Sequence, residues 1–399
     1  MLSLEKAIET LLSTINPITR TRLVSIEQAV GRMAAEDVHA PIDIPPFDRS
    51  PLDGYAIRSE DITGASQNSP VKLKVAAEIA AGTFWGEELK PGYAARIMTG
   101  GTIPNGADCV VKQEDTDDGE EEVEFYTPMN PSDNICSRGE DLKEGTLILT
   151  RGTSICYAHL GVLASVGRSR LIVRDRIRVG LLSTGDELTL PGEPLGQGKI
   201  YNSNLFMLAG RMKQLGAEVT TIYKAQDDVE EVCEIIQREI DGTDVFFTTG
   251  GVSVGRRDIM HPVLERLEAK KLFWKVALKP GTPVLTATYR NKPLICLSGN
   301  PFAALTDFEL LGRPVLSKLS GDSSIEHTRI TGVMADSFPK KSPMRRFIRA
   351  TYENEKVYLS PYSHSSGSLM SLIGCNALID VPAGNPGLKV GDKVELLRL

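Results

Sequence analysis

Val245-Phe-Phe-Thr-Thr-Gly-Gly-Val-Ser-Val-Gly255 decides the fold. The apolar run Val245–Phe247 reads as a buried strand that delivers the chain into a tight loop of three hydroxyls and three glycines. Asp258 then opens a helix. Glycines let a backbone approach a ligand closely, and a helix N-terminus offers unpaired N–H groups to an anion. A phosphate-bearing ligand fits this loop, and so does a plain strand-to-helix turn.

Working outward, the pattern repeats. Arg178–Leu182 reads as a strand, and Asn202–Leu215 as a helix with Leu205, Leu208, Ala209, Met212 and Leu215 on one face, ending at Gly216. Glu218–Tyr223 is a strand and Val229–Ile240 a helix. Asp258–Ala269 is a further helix, followed by strands at Phe273–Leu278, Val284–Thr288 and Leu294–Leu297. A last helix opens at Asn300-Pro301, with Asn as cap and Pro at the first helical position. This alternation predicts parallel β-α-β units over residues 177–320.

The flanks differ. Residues 1–40 read as helical, from Leu4, Ala7, Ile8, Leu11 and Leu12 and from a second segment near Ser25, until Pro41, Pro45 and Pro46 intervene. Residues 46–130 alternate short apolar runs with Gly, Pro and Asp clusters, which suggests a β-rich insertion. Residues 131–176 return to mixed character and are grouped with 1–45. Residues 321–399 hold short strands between Gly and Pro turns, favouring a small β-barrel. The expected fold class is multidomain α/β plus β.

Composition narrows the function. Lys and Arg total 45 against 52 Asp and Glu, a formal charge of -7 that argues against a nucleic-acid-coating protein while allowing a local basic pocket. No apolar run approaches the ~18 residues of a membrane helix, and the N-terminus lacks a signal-peptide core, so a cytoplasmic location is expected. The six cysteines are scattered without C-x-x-C spacing, and neither the P-loop nor the complete G-x-G-x-x-G signature occurs.

In an open parallel sheet, the loops after the strands' carboxyl ends share one rim, where ligands bind. Here that rim carries Ser183-Thr184-Gly185-Asp186-Glu187, Gln226-Asp227-Asp228, Thr248–Gly255 with Asp258, and Ser298-Gly299-Asn300-Pro301. Asp186, Glu187, Asp227, Asp228 and Asp258, gathered without His or Cys, suit a hard cation such as Mg²⁺ beside a phosphate; singly, each also reads as a cap or turn residue. Lys275 and Lys279 flank an otherwise apolar strand, fitting a nearby anion or lysines that reach solvent. Pro45–Ala56 and Arg96–Asp108 are loops dense in turn formers.

Seven stretches stand out in order: Asp53-Gly-Tyr-Ala, Arg96-Ile-Met-Thr-Gly, Ser183-Thr-Gly-Asp-Glu-Leu, Gly198-Lys-Ile-Tyr-Asn-Ser-Asn, Thr249-Gly-Gly-Val-Ser-Val-Gly, Lys279-Pro-Gly and Gly299-Asn-Pro. Together they resemble the molybdopterin molybdenumtransferase family, MoeA in bacteria and the gephyrin E domain in animals. The resemblance implies an elongated homodimer of four subdomains that inserts molybdate into adenylylated molybdopterin with Mg²⁺-dependent release of AMP. It implies that Asp53, Thr99 and Asp141 reach the site from the insertion side. Glu187, Asp227 and Asp258 would shape the pterin-nucleotide and metal site, and Lys275 and Lys279, with Arg349 and Ser371, would hold the oxyanion. Ser183, Thr184, Gly185, Gly250, Gly251, Ser253, Gly255, Gly299, Asn300 and Pro301 would line the cofactor site. Implied partners are a molybdopterin adenylyltransferase and molybdoenzyme apoproteins. Two departures stand out: Ser298 where the family usually has Pro, and Arg49 and Pro51 in the segment Phe47–Asp53. A non-catalytic pterin-binding scaffold and the adenylyltransferase itself are the alternative readings; the charged residues speak against the first, and the insertion and barrel against the second.

Overall fold

The computed structural model describes residues 1–252 and 258–399. Its centre is a six-stranded sheet of β1 (Arg178–Thr184), β2 (Glu218–Ala225), β3 (Val245–Thr249), β4 (Lys270–Trp274), β5 (Leu285–Tyr289) and β6 (Lys292–Leu297). The spatial order is β2-β1-β3-β6-β5-β4. Neighbours among β2, β1, β3 and β6 are parallel. Residues 179–184 of β1 and all of β3 are buried, as strands covered on both faces must be. The helices are α1 (Ser203–Gln214), α2 (Val229–Glu239), α3 (Met260–Arg266), α4 (Pro301–Asp307) and α5 (Arg313–Ser320). Asn202 caps α1 by accepting the Leu205 N–H, and Asp228 caps α2 by accepting that of Glu231.

Four sequence expectations need correction. The sheet is not parallel throughout, because β4 and β5 run antiparallel to their neighbours. The physical reason is the turn Arg290-Asn291, where both residues have positive φ (47° and 61°), a two-residue hairpin geometry that joins only antiparallel strands. The strand read as Phe273–Leu278 is two pieces. The chain leaves the sheet at Lys275, with φ at 68°, and Leu278–Lys279 pairs instead with Arg345 and Arg346 of the C-terminal unit. Residues 21–25, read as part of a helical region, form a strand paired with Arg170–Arg174; the alternating segment Thr-Arg-Leu-Val-Ser buries Val24 and not a helical stripe. Helix α3 is also shorter than the expected Asp258–Ala269.

In the C-terminal unit, strands Arg345–Glu353, Lys356–Leu359, Arg329–Met334, Lys393–Arg398 and Ala377–Val381 close on themselves, forming a five-stranded barrel around Phe338, Ile348, Val357, Ile379 and Leu396. A five-stranded sheet from Gly54 to Phe125 forms the insertion. The N-terminal helix Leu4–Leu12 buries Leu4, Ala7 and Leu11 in the core of the central unit, and Glu5 meets Arg345 of the barrel. Among the described residues, no helix is long and apolar enough to cross a membrane.

Candidate functional site

Two clefts meet at the sheet's carboxyl edge. The first, the sheet-edge cleft of about 580 Å³, is walled by the loops that follow β1, β3 and β6: Ser183–Gly185, Thr249–Val252 and Ser298–Pro301. Glycine is required at 250, where φ is +100° and a Cβ would lie 2.3 Å from the Thr184 carbonyl oxygen. Helix α1 ties the loops together. The Asn204 amide donates to Thr249 Oγ1 (2.9 Å) and to the Gly299 carbonyl (2.8 Å), while Thr249 Oγ1 donates to the Ser298 carbonyl (2.8 Å). Buried polar atoms remain in this wall: Thr184 Oγ1, Asn202 Nδ2 and Asn204 Oδ1 have no hydrogen-bond partner among the described residues. Buried polar groups are normally paired, so this set suits a polar ligand that completes it. Asn300 holds the cap position of α4 without a side-chain cap bond.

The acidic residues sort into two kinds. Glu187 and Asp227 line the cleft. Asp228 serves as the α2 cap, and Asp186 accepts the Asp227 backbone N–H at 3.1 Å, so both fit the cap-or-turn reading. Asp258 is outside the lining; it accepts the Met260 N–H and stands 3.9 Å from His261 Nε2, and burial raises its pKa above the usual carboxylate value. Ser253 and Gly255 lie outside the described residues.

The second, the junction cleft of about 570 Å³, opens between the central unit and the barrel. Pro283, Ser298 and Asn300 line both clefts, so the two share a wall. The junction cleft is cationic: Lys279, Lys340 and Arg346 line it, with His364, Ser365 and Ser366. Lys279 arrives there because Leu278–Lys279 pairs with the strand carrying Arg346.

Family models match along most of the chain. Residues 2–167 match the MoeA N-terminal region (domain I and II), 180–318 a probable molybdopterin binding domain, and 331–399 the MoeA C-terminal region (domain IV). The molybdopterin molybdenumtransferase of Staphylococcus aureus (strain COL) is 36% identical over 379 residues, covering 94% of this chain and 90% of its own length. That of Staphylococcus epidermidis (strain ATCC 12228) is 35% identical over 378 residues, with 94% and 90% covered. The chain belongs to the MoeA family. The crystal structure of the molybdopterin biosynthesis MoeA protein from Pyrococcus horikoshii superposes with a TM-score of 0.86 at 31% identity, covering 100% of this chain and 99% of that one.

The other predicted residues fall in distinct places in this MoeA chain. Lys275 does not line either cleft; its ammonium sits 3.8 Å from the Trp274 ring centroid, and Trp274 packs edge-on against His261. Arg349 and Ser371 are buried behind the clefts. Arg349 donates to the carbonyls of Ser363, Ser365 and Ser368 and stacks 4.0 Å from the Phe302 ring centroid. Burial pulls its pKa down to about 10, which leaves it charged at neutral pH. Ser371 donates to the Ser363 carbonyl. Both thus shape the loop that supplies Ser365 and Ser366 to one cleft and Gly367 and Leu369 to the other.

Asp53 and Thr99, in the insertion, and Asp141, beyond it in the chain, are exposed and line neither cleft. Asp53 Oδ1 accepts the Thr99 N–H (2.6 Å) and O–H (2.7 Å), and those two donors hold its pKa below the ordinary value. Sequence reasoning missed Lys340, Arg346, His364, Ser365 and Ser366, and passed over Asn202 and Asn204 although both stand in the quoted stretch Gly198–Asn204. The signals were present: paired arginines at 345–346, and the polar run Ser363-His-Ser-Ser-Gly inside a barrel otherwise rich in apolar strands.

Proposed function

We propose that this MoeA chain acts in molybdenum cofactor biosynthesis as a molybdopterin molybdenumtransferase, inserting molybdate into adenylylated molybdopterin with release of AMP. The observation that carries the reading is the shared wall. A polar cleft with unpaired buried amide and hydroxyl groups adjoins a cationic one across Ser298 and Asn300. The sheet-edge cleft takes the nucleotide-tagged pterin, with the Thr249–Gly251 and Ser183–Gly185 backbones at the phosphates. The junction cleft takes molybdate, a compact dianion suited to several cations and hydroxyls acting together, here Lys279, Lys340, Arg346, Ser365 and Ser366. Arg349 and Ser371 serve this pocket by holding its loop, and Lys275 adds positive charge from beside Trp274. The dithiolene sulfurs that take the molybdenum belong to the pterin, in keeping with six scattered free cysteines. The protein's work is positional: it holds two anions against each other and offsets their repulsion.

Mg²⁺ fits the donor set. Glu187 and Asp227 offer hard carboxylate oxygens in the sheet-edge cleft, with Asp258 as the third acidic group of this reading. Among the described residues no three metal-ligating side chains gather in one place, so the ion would rest on one or two carboxylates and on phosphate oxygens of the substrate, a common arrangement for Mg²⁺. When bound it would draw negative charge from the phosphoanhydride as AMP leaves. A homodimer is part of the reading, with Asp53, Thr99 and Asp141 of one chain facing the other's clefts. So are a cytoplasmic setting, supply of substrate by an adenylyltransferase, and delivery of product to apoenzymes.

The test is a reconstituted assay with adenylylated molybdopterin, Mg²⁺ and molybdate. Molybdate-dependent AMP release with formation of molybdenum cofactor is expected. Tight pterin binding without AMP release would overturn the reading in favour of a scaffold.

A further inference from the structure

Asp307 closes α4 and is completely buried. Its Oδ2 accepts the Ser298 N–H at 3.3 Å, while Oδ1 has no hydrogen-bond partner among the described residues. That second oxygen stands against Gly281, where a Cβ would lie 1.9 Å from it and where φ is +100°. Gly281 lines the junction cleft and Ser298 lines both clefts. One carboxyl therefore backs two pieces of the wall from its protein side. The bond depends on the departure noted at 298, since a proline there has no N–H to give.

We propose that Asp307 is a positioning residue for oxyanion capture, setting the wall between the two clefts through the Ser298 N–H and the packed face of Gly281. Its chemistry suits that task. Burial raises its pKa well above the usual carboxylate range, only partly opposed by the Ser298 N–H. A shift in that direction favours the uncharged acid, which accepts the N–H without placing negative charge behind a bound dianion. The charged and titratable groups facing the wall lie on its far sides: Lys279, Lys340, Arg346 and His364 in the junction cleft, and Glu187 and Asp227 in the sheet-edge cleft.

The inference rests on the molybdate-inserting reading, and the test separates the two. Full-length wild type, Asp307→Ala, Asp307→Asn, Ser298→Pro and the Ser298→Pro/Asp307→Ala double variant are assayed for turnover against molybdate concentration, with Tm recorded for each. Asp307→Ala should raise KM for molybdate about tenfold, the size expected when a buried N–H loses its partner, while kcat at saturation changes less than about twofold. Asp307→Asn, neutral and of the same shape, should restore KM. Ser298→Pro should reproduce the defect, and the double variant should be no worse than either single one. Should Asp307→Ala not fold, Ser298→Pro against Asp307→Asn carries the comparison. Variants with wild-type KM, or an Asn variant as impaired as Ala, would overturn the inference alone. A wild type without molybdate-dependent turnover would overturn the functional reading and this inference with it.

Discussion

The sheet-edge cleft and the junction cleft share a wall and are nearly equal in volume, about 580 and 570 Å³, yet they are built from opposite chemistry. The first combines carboxylates with buried, unpaired amide and hydroxyl atoms, groups that select by hydrogen-bond geometry. The second gathers Lys279, Lys340 and Arg346, groups that attract by charge. Geometry suits a large ligand with many polar atoms; charge suits a small, symmetrical anion. Their difference teaches that one wall can separate two recognition problems while keeping the ligands adjacent, and that residues supporting the wall should affect both.

The largest expected effect breaks both clefts at once. Arg349→Ala removes the guanidinium that donates to the carbonyls of Ser363, Ser365 and Ser368 and should cost about 3 kcal/mol of stability. It should also raise KM for pterin and for molybdate together, measured by thermal denaturation and steady-state kinetics; an effect on one substrate alone would contradict the shared-loop account. Next, Lys279→Ala should lower kcat/KM for molybdate about a hundredfold, as removal of a stabilising cation from an oxyanion site does, with Tm unchanged because the side chain is exposed. Asn204→Ala should weaken binding of adenylylated molybdopterin about tenfold in equilibrium titration, with a smaller rise in KM for molybdate through the Gly299 contact.

The smallest effect lies away from both clefts. Burial lowers the pKa of His327, which sits beside Glu309 and Arg313. The unfolded chain therefore takes up a proton near the ordinary imidazole value of about 6.5 that the native chain refuses. Stability contributed by this group is present above that pH and is lost as pH falls through the lowered native value. The wild-type Tm should fall on acidification more than that of His327→Gln, with both substrate KM values equal in the two proteins at neutral pH.

Legibility in the sequence followed the range of the forces involved. The β-α-β order was legible because apolar periodicity and caps are local: Asp228 and Asn202 sit where helices must start. The antiparallel hairpin of β5 and β6 was hidden in Arg290-Asn291, a pair that does not carry the usual glycine signal for its turn. Lys275 and Lys279 looked equivalent as flanks of one strand, but the chain turns between them, sending one onto Trp274 and the other into the junction cleft. The cations Lys340 and Arg346 come from a separate unit, and nothing local in their segment states which surface the barrel turns toward the sheet. Arg349 was legible as important, while its role as a loop support depends on carbonyls 14 to 19 residues away.

The most direct measurement is a crystal structure of the full chain soaked with adenylylated molybdopterin and molybdate. The account predicts pterin-nucleotide density along Thr249–Gly251 and Asn204, with oxyanion density beside Lys279 and Arg346, on opposite sides of Ser298. Both ligands on one side of that wall, or molybdate bound away from the cationic cleft, would contradict it.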